Sequence, residues 1–232
     1  MIKKEKKFDI VMFCMSSYTD WERGVSNRNF QVFNSLKSNN LVNRILLIDY
    51  LPQSKKRALR NWKENIFLNN IGRTIKSTLF TKIYSPEENV YVYSTVKNIF
   101  NYKKCLKEIN NYLIKEDFKN IVLWSYYPIN TDYFDSIDYD ISVFDTVDNW
   151  AEHASYKKIK TKIEENYKII RDRANIIFVL SEASEKMFYP RVDKIYHITQ
   201  GIDLAHYANK SKVINNDIAK LSRPIIGYLG II

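Results

Sequence analysis

Residues 139–147 read YDISVFDTV, an apolar run that ends in a carboxylate. Its length and its mix of β-branched and aromatic residues mark a strand. Downstream, SYKKIKTKIEENYKIIRDRA (155–174) puts Ile159, Ile163, Tyr167 and Ile170 on one face of a helix, and NIIFVLS (175–181) is a second apolar strand. Two strands that are apolar on both faces, joined by an amphipathic helix, form a βαβ unit of a parallel sheet.

The pattern continues in both directions. Upstream, FDIVMFCMS (8–16), VNRILLIDY (42–50), NVYVYSTV (89–96) and KNIVLWSYY (119–127) read as strands. A helix is expected over SNRNFQVFNSLKSNN (26–40), with its loop capped by Ser26. Another begins near Ile99, with Tyr102, Leu106, Ile109 and Leu113 on its apolar face. Downstream, EASEKMFY (182–189) is a short helix and DKIYHIT (193–199) a seventh strand. Right-handed crossovers then give an α/β fold with a doubly wound, mostly parallel, Rossmann-like sheet.

Composition agrees with a packed core: 45% of the 232 residues are hydrophobic, and Tyr and Phe supply 29 of them. Cys14 and Cys105 are too few for a disulfide framework or a metal cluster and read as small buried hydrophobes in a reducing cytosol. The start, MIKKEKKFDIVMFCMSS, is basic then apolar like a secretion signal. Asp9 interrupts the run, so a first strand is the better reading. No run approaches the roughly 18–20 apolar residues of a membrane span. The expectation is a soluble or peripheral protein.

Ligands of doubly wound sheets sit beyond the carboxyl ends of the strands. After the first strand, SSYTDWERGVSNR (16–28) offers Asp20, Trp21, Arg23 and Arg28 in a loop that enters a helix. Such a helix start with arginines can hold an anion, and Trp21 is expected to be exposed there. After the fourth, WSYYP (124–128) suits either a sugar-like ligand or the core. After the fifth stand Asp145, Asp148, Trp150 and His153, a set able to orient hydroxyls or accept a proton. Capping of the next helix by Asp148 or Asn149 is the structural alternative. After the sixth, Ser181 and Glu182 suit a helix cap and its first turn, with any ligand role additional. Asp138 and Asp140 have the spacing of a metal-binding Asp-x-Asp motif. They open a strand instead of closing one, so no metal is expected.

Four stretches, VFDTVDNW (143–150), RANIIFVLSEASEKMF (173–188), HITQGIDLAHY (197–207) and RPIIGYLGII (223–232), together carry a resemblance. In this order the chain resembles the N-terminal half of a GT-B glycosyltransferase of the family 4 retaining type, nearest the bacterial cell-surface polysaccharide subgroup. Gln200, Asn149 and Asn175 depart from the family pattern, which has Asn, Asp and Asp there. The resemblance implies an acceptor-side domain over 1–208, a linker over 209–223, and in 224–232 the first strand of a donor-binding domain absent from this chain. Gly227 and Gly230 would then form a turn near the donor phosphates. The substrates implied are a nucleotide-sugar and a glycan or lipid-linked acceptor, with no metal or other cofactor and no nucleic acid. Asp145 or Asp148 would orient hydroxyls in the chemistry of a retaining hexosyl transfer. Asp20, Trp21, Arg23, Arg28, Trp150, His153, Ser181 and Glu182 would line the cleft. The chain alone would transfer no sugar.

Net charge is +10, and the span from Lys55 to Lys82 holds eight basic residues against the single acid Glu64, a local +7. Within it Lys55, Lys56, Arg57, Arg60, Trp62, Lys63 and Phe67 combine charge and apolar bulk suited to an anionic membrane interface. That suggests a cytoplasmic protein, peripheral at the inner face of the membrane. Two other readings remain: a basic α/β nucleic-acid-binding domain using Trp62 and Phe67, and a non-catalytic ligand-binding domain whose sheet is completed by 224–230. The first leaves the strand-end Asp and Trp residues unexplained.

Overall fold

The computed structural model describes residues 6–191, 193–201, 218, 220–222 and 224–226. Contacts divide the chain into a unit of residues 1–199 and a second of residues 200–232. Gly227, Gly230 and most of the stretch 209–232 lie outside the described residues.

The first unit is built on one nine-stranded sheet in the order β3-β4-β5-β2-β1-β6-β7-β8-β9. Its strands are β1 (Phe8–Phe13), β2 (Val42–Ile48), β3 (Arg73–Thr78), β4 (Thr81–Glu87), β5 (Val90–Thr95), β6 (Ile121–Ser125), β7 (Ile141–Asp145), β8 (Ile176–Val179) and β9 (Ile195–His197). All seven strands expected from sequence in this unit form, and they pair in parallel from β5 through to β9. Alternation along β1 shows why. Ile10, Met12 and Cys14 enter one core, with Trp21 and Phe33, while Val11 and Phe13 enter the opposite core, with Leu106 and Ile170. Each buried aliphatic side chain contributes about 1.5–3 kcal/mol. Neither face of the central strands is free for solvent, which is the condition for a doubly wound fold.

Helix α1 (Tyr18–Glu22) and α2 (Arg28–Lys37) supply residues to the first core; α4 (Tyr102–Lys115) and α6 (Lys160–Arg173) supply the second. Asn27 caps α2, accepting from the Phe30 amide, in place of the expected Ser26. Asn101 caps α4, whose Leu106, Ile109 and Leu113 are the expected buried stripe. Asp9 is buried at the amino edge of the sheet and paired with Arg44 at 2.6 Å. Cys14 and Cys105 are buried and free.

The unexpected elements lie in the basic span. Lys55–Asn61 forms helix α3, Trp62–Phe67 continues it as a π turn, and β3 and β4 form an antiparallel hairpin at the sheet edge. Gly72 enters the hairpin at φ +61°, and a Cβ there would collide with the Ser85 carbonyl oxygen. The strand β3 is exposed throughout. Its Arg73 and Lys76 are the charges expected on a protected edge. Lys82 is a correction to the surface reading of the span: it is buried and donates to the Asn69 carbonyl.

Candidate functional site

Setting the hairpin aside, strand order runs outward from β1 in both directions, through β2 and β5 on one side and β6 to β9 on the other. The crossover direction reverses between β1 and β6, the place beyond the carboxyl ends where doubly wound sheets bind their ligands. The chain segments that reach this edge define the candidate site.

Helix α2 begins at the edge. The Ser16 hydroxyl accepts from Trp21 Nε1 at 2.7 Å and from Asn27 Nδ2 at 3.0 Å, and donates to Asn29 Oδ1 at 3.3 Å. This hub fixes the loop that starts the helix. Arg28, the first helical residue, donates from Nε to Asp145 Oδ1 at 2.8 Å. Both side chains are buried, Asp145 completely and Arg28 to within 7%. Burial pushes the Asp145 carboxyl above its ordinary range, while Arg28, Tyr126 and Trp124 pull it back down.

The pair is incompletely satisfied. Among the described residues, Asp145 Oδ2 makes no hydrogen bond of full geometry, and the same holds for Asn29 Nδ2, Tyr126 Oη, Trp124 Nε1 and Thr146 Oγ1, although the Tyr126 and Trp124 donors lie close enough to stabilise the Asp145 carboxylate. Arg28 donates, among the described residues, only through Nε. Buried polar groups are rarely left this way, so several of them around one ion pair need an explanation.

Aromatic residues that follow β2, β6 and β7 pack on one another near the same edge. Tyr50 follows β2, accepts from Arg57 Nη1 at 2.9 Å and packs on Tyr127. Tyr127 meets Trp150 edge-on, and Trp150 stacks on Tyr156 at 5.2 Å and 9°. Burial raises the Tyr50 hydroxyl to about 12, with Tyr156 adding and Arg57 opposing.

The residues singled out from sequence fall into distinct places. Arg28 and Asp145 are brought together across 117 positions of sequence. Asp148 has an exposed side chain beside them, and its backbone carbonyl accepts from Tyr167. Trp21 is not exposed as expected: it stacks on Phe33 at 5.3 Å within the core, because the Ser16 bond turns its indole inward. Asp20 is occupied in accepting the Ser17 amide at the start of α1, and Arg23 pairs with Glu64 on the surface. His153 is exposed and its Nδ1 accepts from the Ser155 amide. Ser181 caps α7 (Glu182–Glu185), where Glu182 is exposed. Asp138 and Asp140 open β7, accepting from Asn110 and the Ile121 amide. Lys55, Lys56, Arg60 and Lys63 are exposed on α3 and the π turn, with Arg60 bonded to Glu64, whereas Arg57 folds back on Tyr50. Trp62 is half-buried and Phe67 is exposed.

No protein-family model matches the chain, and no curated protein matches it. Among solved structures, it is similar to a sucrose-phosphate synthase from Thermosynechococcus elongatus, at 10% identity over 86% of this chain and 93% of that one, with a TM-score of 0.47.

Sequence reasoning passed over Asp49, Tyr50, Asn29, Thr146 and Tyr156. Asp49 follows β2 directly, buried, and accepts from the Tyr18 amide at 2.9 Å and from the Ser94 hydroxyl. Its signal was available, since LLIDY ends an apolar strand in a carboxylate just as SVFD does. Among the described residues, no three His, Cys, Asp or Glu side chains gather as a metal site, and no helix is long and apolar enough to cross a membrane.

Proposed function

We propose that this chain is the acceptor-side half of a GT-B glycosyltransferase. It would transfer a sugar from a nucleotide-sugar to a glycan or lipid-linked acceptor in cell-surface polysaccharide synthesis. The observation that carries this reading is the half-satisfied Arg28–Asp145 pair at the strand-order reversal. The motif resemblance of residues 143–150 and 173–188 supports the same reading.

In this reading Asp145 is a positioning residue. It holds Arg28 by Nε and leaves both terminal nitrogens of the guanidinium for an anion, the geometry that suits a phosphate. The start of α2 adds its partial positive charge. Charge developing on a leaving diphosphate is then met by a cation already in place. Asp148 is the carboxylate available to an acceptor hydroxyl, and Tyr156, on top of the Trp150 ring, offers its outer face to a sugar ring. The chemistry in this reading is retaining transfer without a metal, and ligand binding is the readout.

The test is an NMR titration of the chain with pyrophosphate and, separately, with octyl glucoside below its micellar concentration. Pyrophosphate is expected to shift amides at the start of α2 and after β7, and Arg28→Met to abolish that response while leaving the glycoside response near Tyr156. Shifts confined to remote lysines, or none, would refute the reading.

A further inference from the structure

A second surface on the carboxyl edge has no role in the candidate site. Phe67 stacks face to face on Trp62 at 5.4 Å and 15°, and Trp62 Nε1 donates to the Leu79 carbonyl at 2.7 Å. Leu79 and Phe80 form the turn of the β3–β4 hairpin, and Phe80 meets Phe100 at 5.5 Å. Three separate segments therefore build one continuous apolar surface. Leu59 lies one helical turn before Trp62 and joins it. Leu59, Phe67, Leu79 and Phe100 are each exposed by 66–67%. Four large side chains in that state present on the order of 500 Å², at the upper end of what a soluble monomer leaves uncovered.

We infer that this surface docks on an anionic lipid bilayer. The occupant is fixed by the charge around it. Lys55, Lys56 and Lys63 are exposed on α3 and the π turn, and Lys103 and Lys104 follow Phe100 in the first turn of α4. Lysines around aliphatic and aromatic tips suit acyl chains below and anionic headgroups beside them. A nucleic acid would reward the cations but not Leu59 and Leu79, which carry no stacking face.

The topology adds direction. Thr81 pairs with Thr95, which puts the hairpin turn at the carboxyl end of β5 and on the same edge as the candidate site. With strands about 4.8 Å apart, β4 lies only about 14 Å from β1. A bilayer bound at the hairpin tip would hold that site at headgroup level, where a lipid-linked acceptor presents its sugar. The inference deepens the proposed function on that point, but lipid binding is read without any sugar or phosphate ligand, so either can fail alone.

The test is co-sedimentation of the chain with vesicles of phosphatidylcholine alone and of equimolar phosphatidylcholine and phosphatidylglycerol, with circular dichroism confirming that each variant is folded. Binding is expected only to the anionic vesicles. Leu79→Ser/Phe80→Ser should weaken it at least about tenfold, from the loss of two inserted side chains. Lys55→Gln/Lys56→Gln/Lys63→Gln should weaken it by a similar or larger factor. Absence of binding, equal binding to both vesicles, or folded variants that bind like the wild type would overturn the inference. So would a concentration-dependent dimer in light scattering that Leu79→Ser/Phe80→Ser dissociates, because the surface would then belong to a second copy.

Discussion

Removing Arg28 should leave a buried carboxylate with nothing to neutralise it. The pair is separated by 2.8 Å and sealed from solvent on the Asp145 side. At an effective dielectric constant near 20, that separation corresponds to a gross attraction of about 6 kcal/mol. Most of it offsets desolvation, so the pair itself adds little net stability, whereas losing one partner costs about 3–5 kcal/mol. Arg28→Met should therefore destabilise the fold by about that amount, and Asp145→Leu should do so comparably by stranding the guanidinium. The double variant removes both charges and should be no worse than the poorer single. Urea unfolding followed by far-ultraviolet circular dichroism supplies all four corners of the cycle. A coupling energy near 3 kcal/mol is expected. In Arg28→Met the Asp145 pKa must rise further, because burial remains and the largest opposing influence is gone. Its folded form then binds a proton more tightly than its unfolded form, so the deficit should shrink as pH falls from 8 towards 5. A deficit under about 1 kcal/mol with coupling below the roughly 0.5 kcal/mol expected of independent sites would refute the buried pair.

Asp49 supplies a second pH test. Burial raises it from 3.8 to about 7, with the Ser94 and Tyr18 hydrogen bonds only partly opposing. A carboxyl raised in the folded state stabilises fully below about pH 4, and that contribution is lost as pH climbs through 7. Asp49→Asn should flatten this slope and be more stable than the wild type at pH 8, by up to about 4 kcal/mol. A pH profile of the difference that stays level between 4 and 8 would contradict it. Gly72→Ala should unfold or displace the hairpin at a cost of at least about 1–2 kcal/mol, since φ is positive and the Ser85 carbonyl is backbone and cannot step aside. Loss of hydrogen-exchange protection in β4 is the readout, and unchanged protection would count against the close approach.

The parallel sheet was legible because its strands are buried on two faces and so are continuously apolar: VMF in β1 and ILLI in β2 admit few other readings. The hairpin was not. RTIKST carries no buried face and turns through Leu79–Phe80, with neither Gly nor Asn at the bend, so no periodicity or turn residue announces it. The strand-end rule led to Arg28 and Asp145 separately, but nothing local encodes their contact. It also promoted Trp21 to the cleft. Whether an aromatic beside charges faces outward depends on one hydrogen bond, here from its indole to Ser16, and that bond is tertiary.

The molecule contains its own control for the functional reading of Arg28 and Asp145. At the amino edge of the same sheet, Asp9 and Arg44 form a second largely buried pair of the same two residue types. There, every hydrogen-bonding group is used. Asp9 accepts from Asn43, Arg44 and the Lys119 amide, and Arg44 also donates to the Glu116 and Asp117 carbonyls and lies over the Phe118 ring. Matching of this kind avoids the cost of about 1–3 kcal/mol for each leftover buried donor or acceptor, although this pair also lines a surface pocket with Lys7, Glu116 and Asn120. Among the described residues, the carboxyl edge leaves one carboxylate oxygen and the two terminal guanidinium nitrogens without a hydrogen bond of full geometry, beside Asn29 Nδ2, Tyr126 Oη and Thr146 Oγ1 in the same state. Had the pair served stability alone, the sequence solution already present at Asp9 and Arg44 would have served here too. The difference between the two edges is spare hydrogen-bonding capacity, and at the carboxyl edge it lies where the strand order reverses.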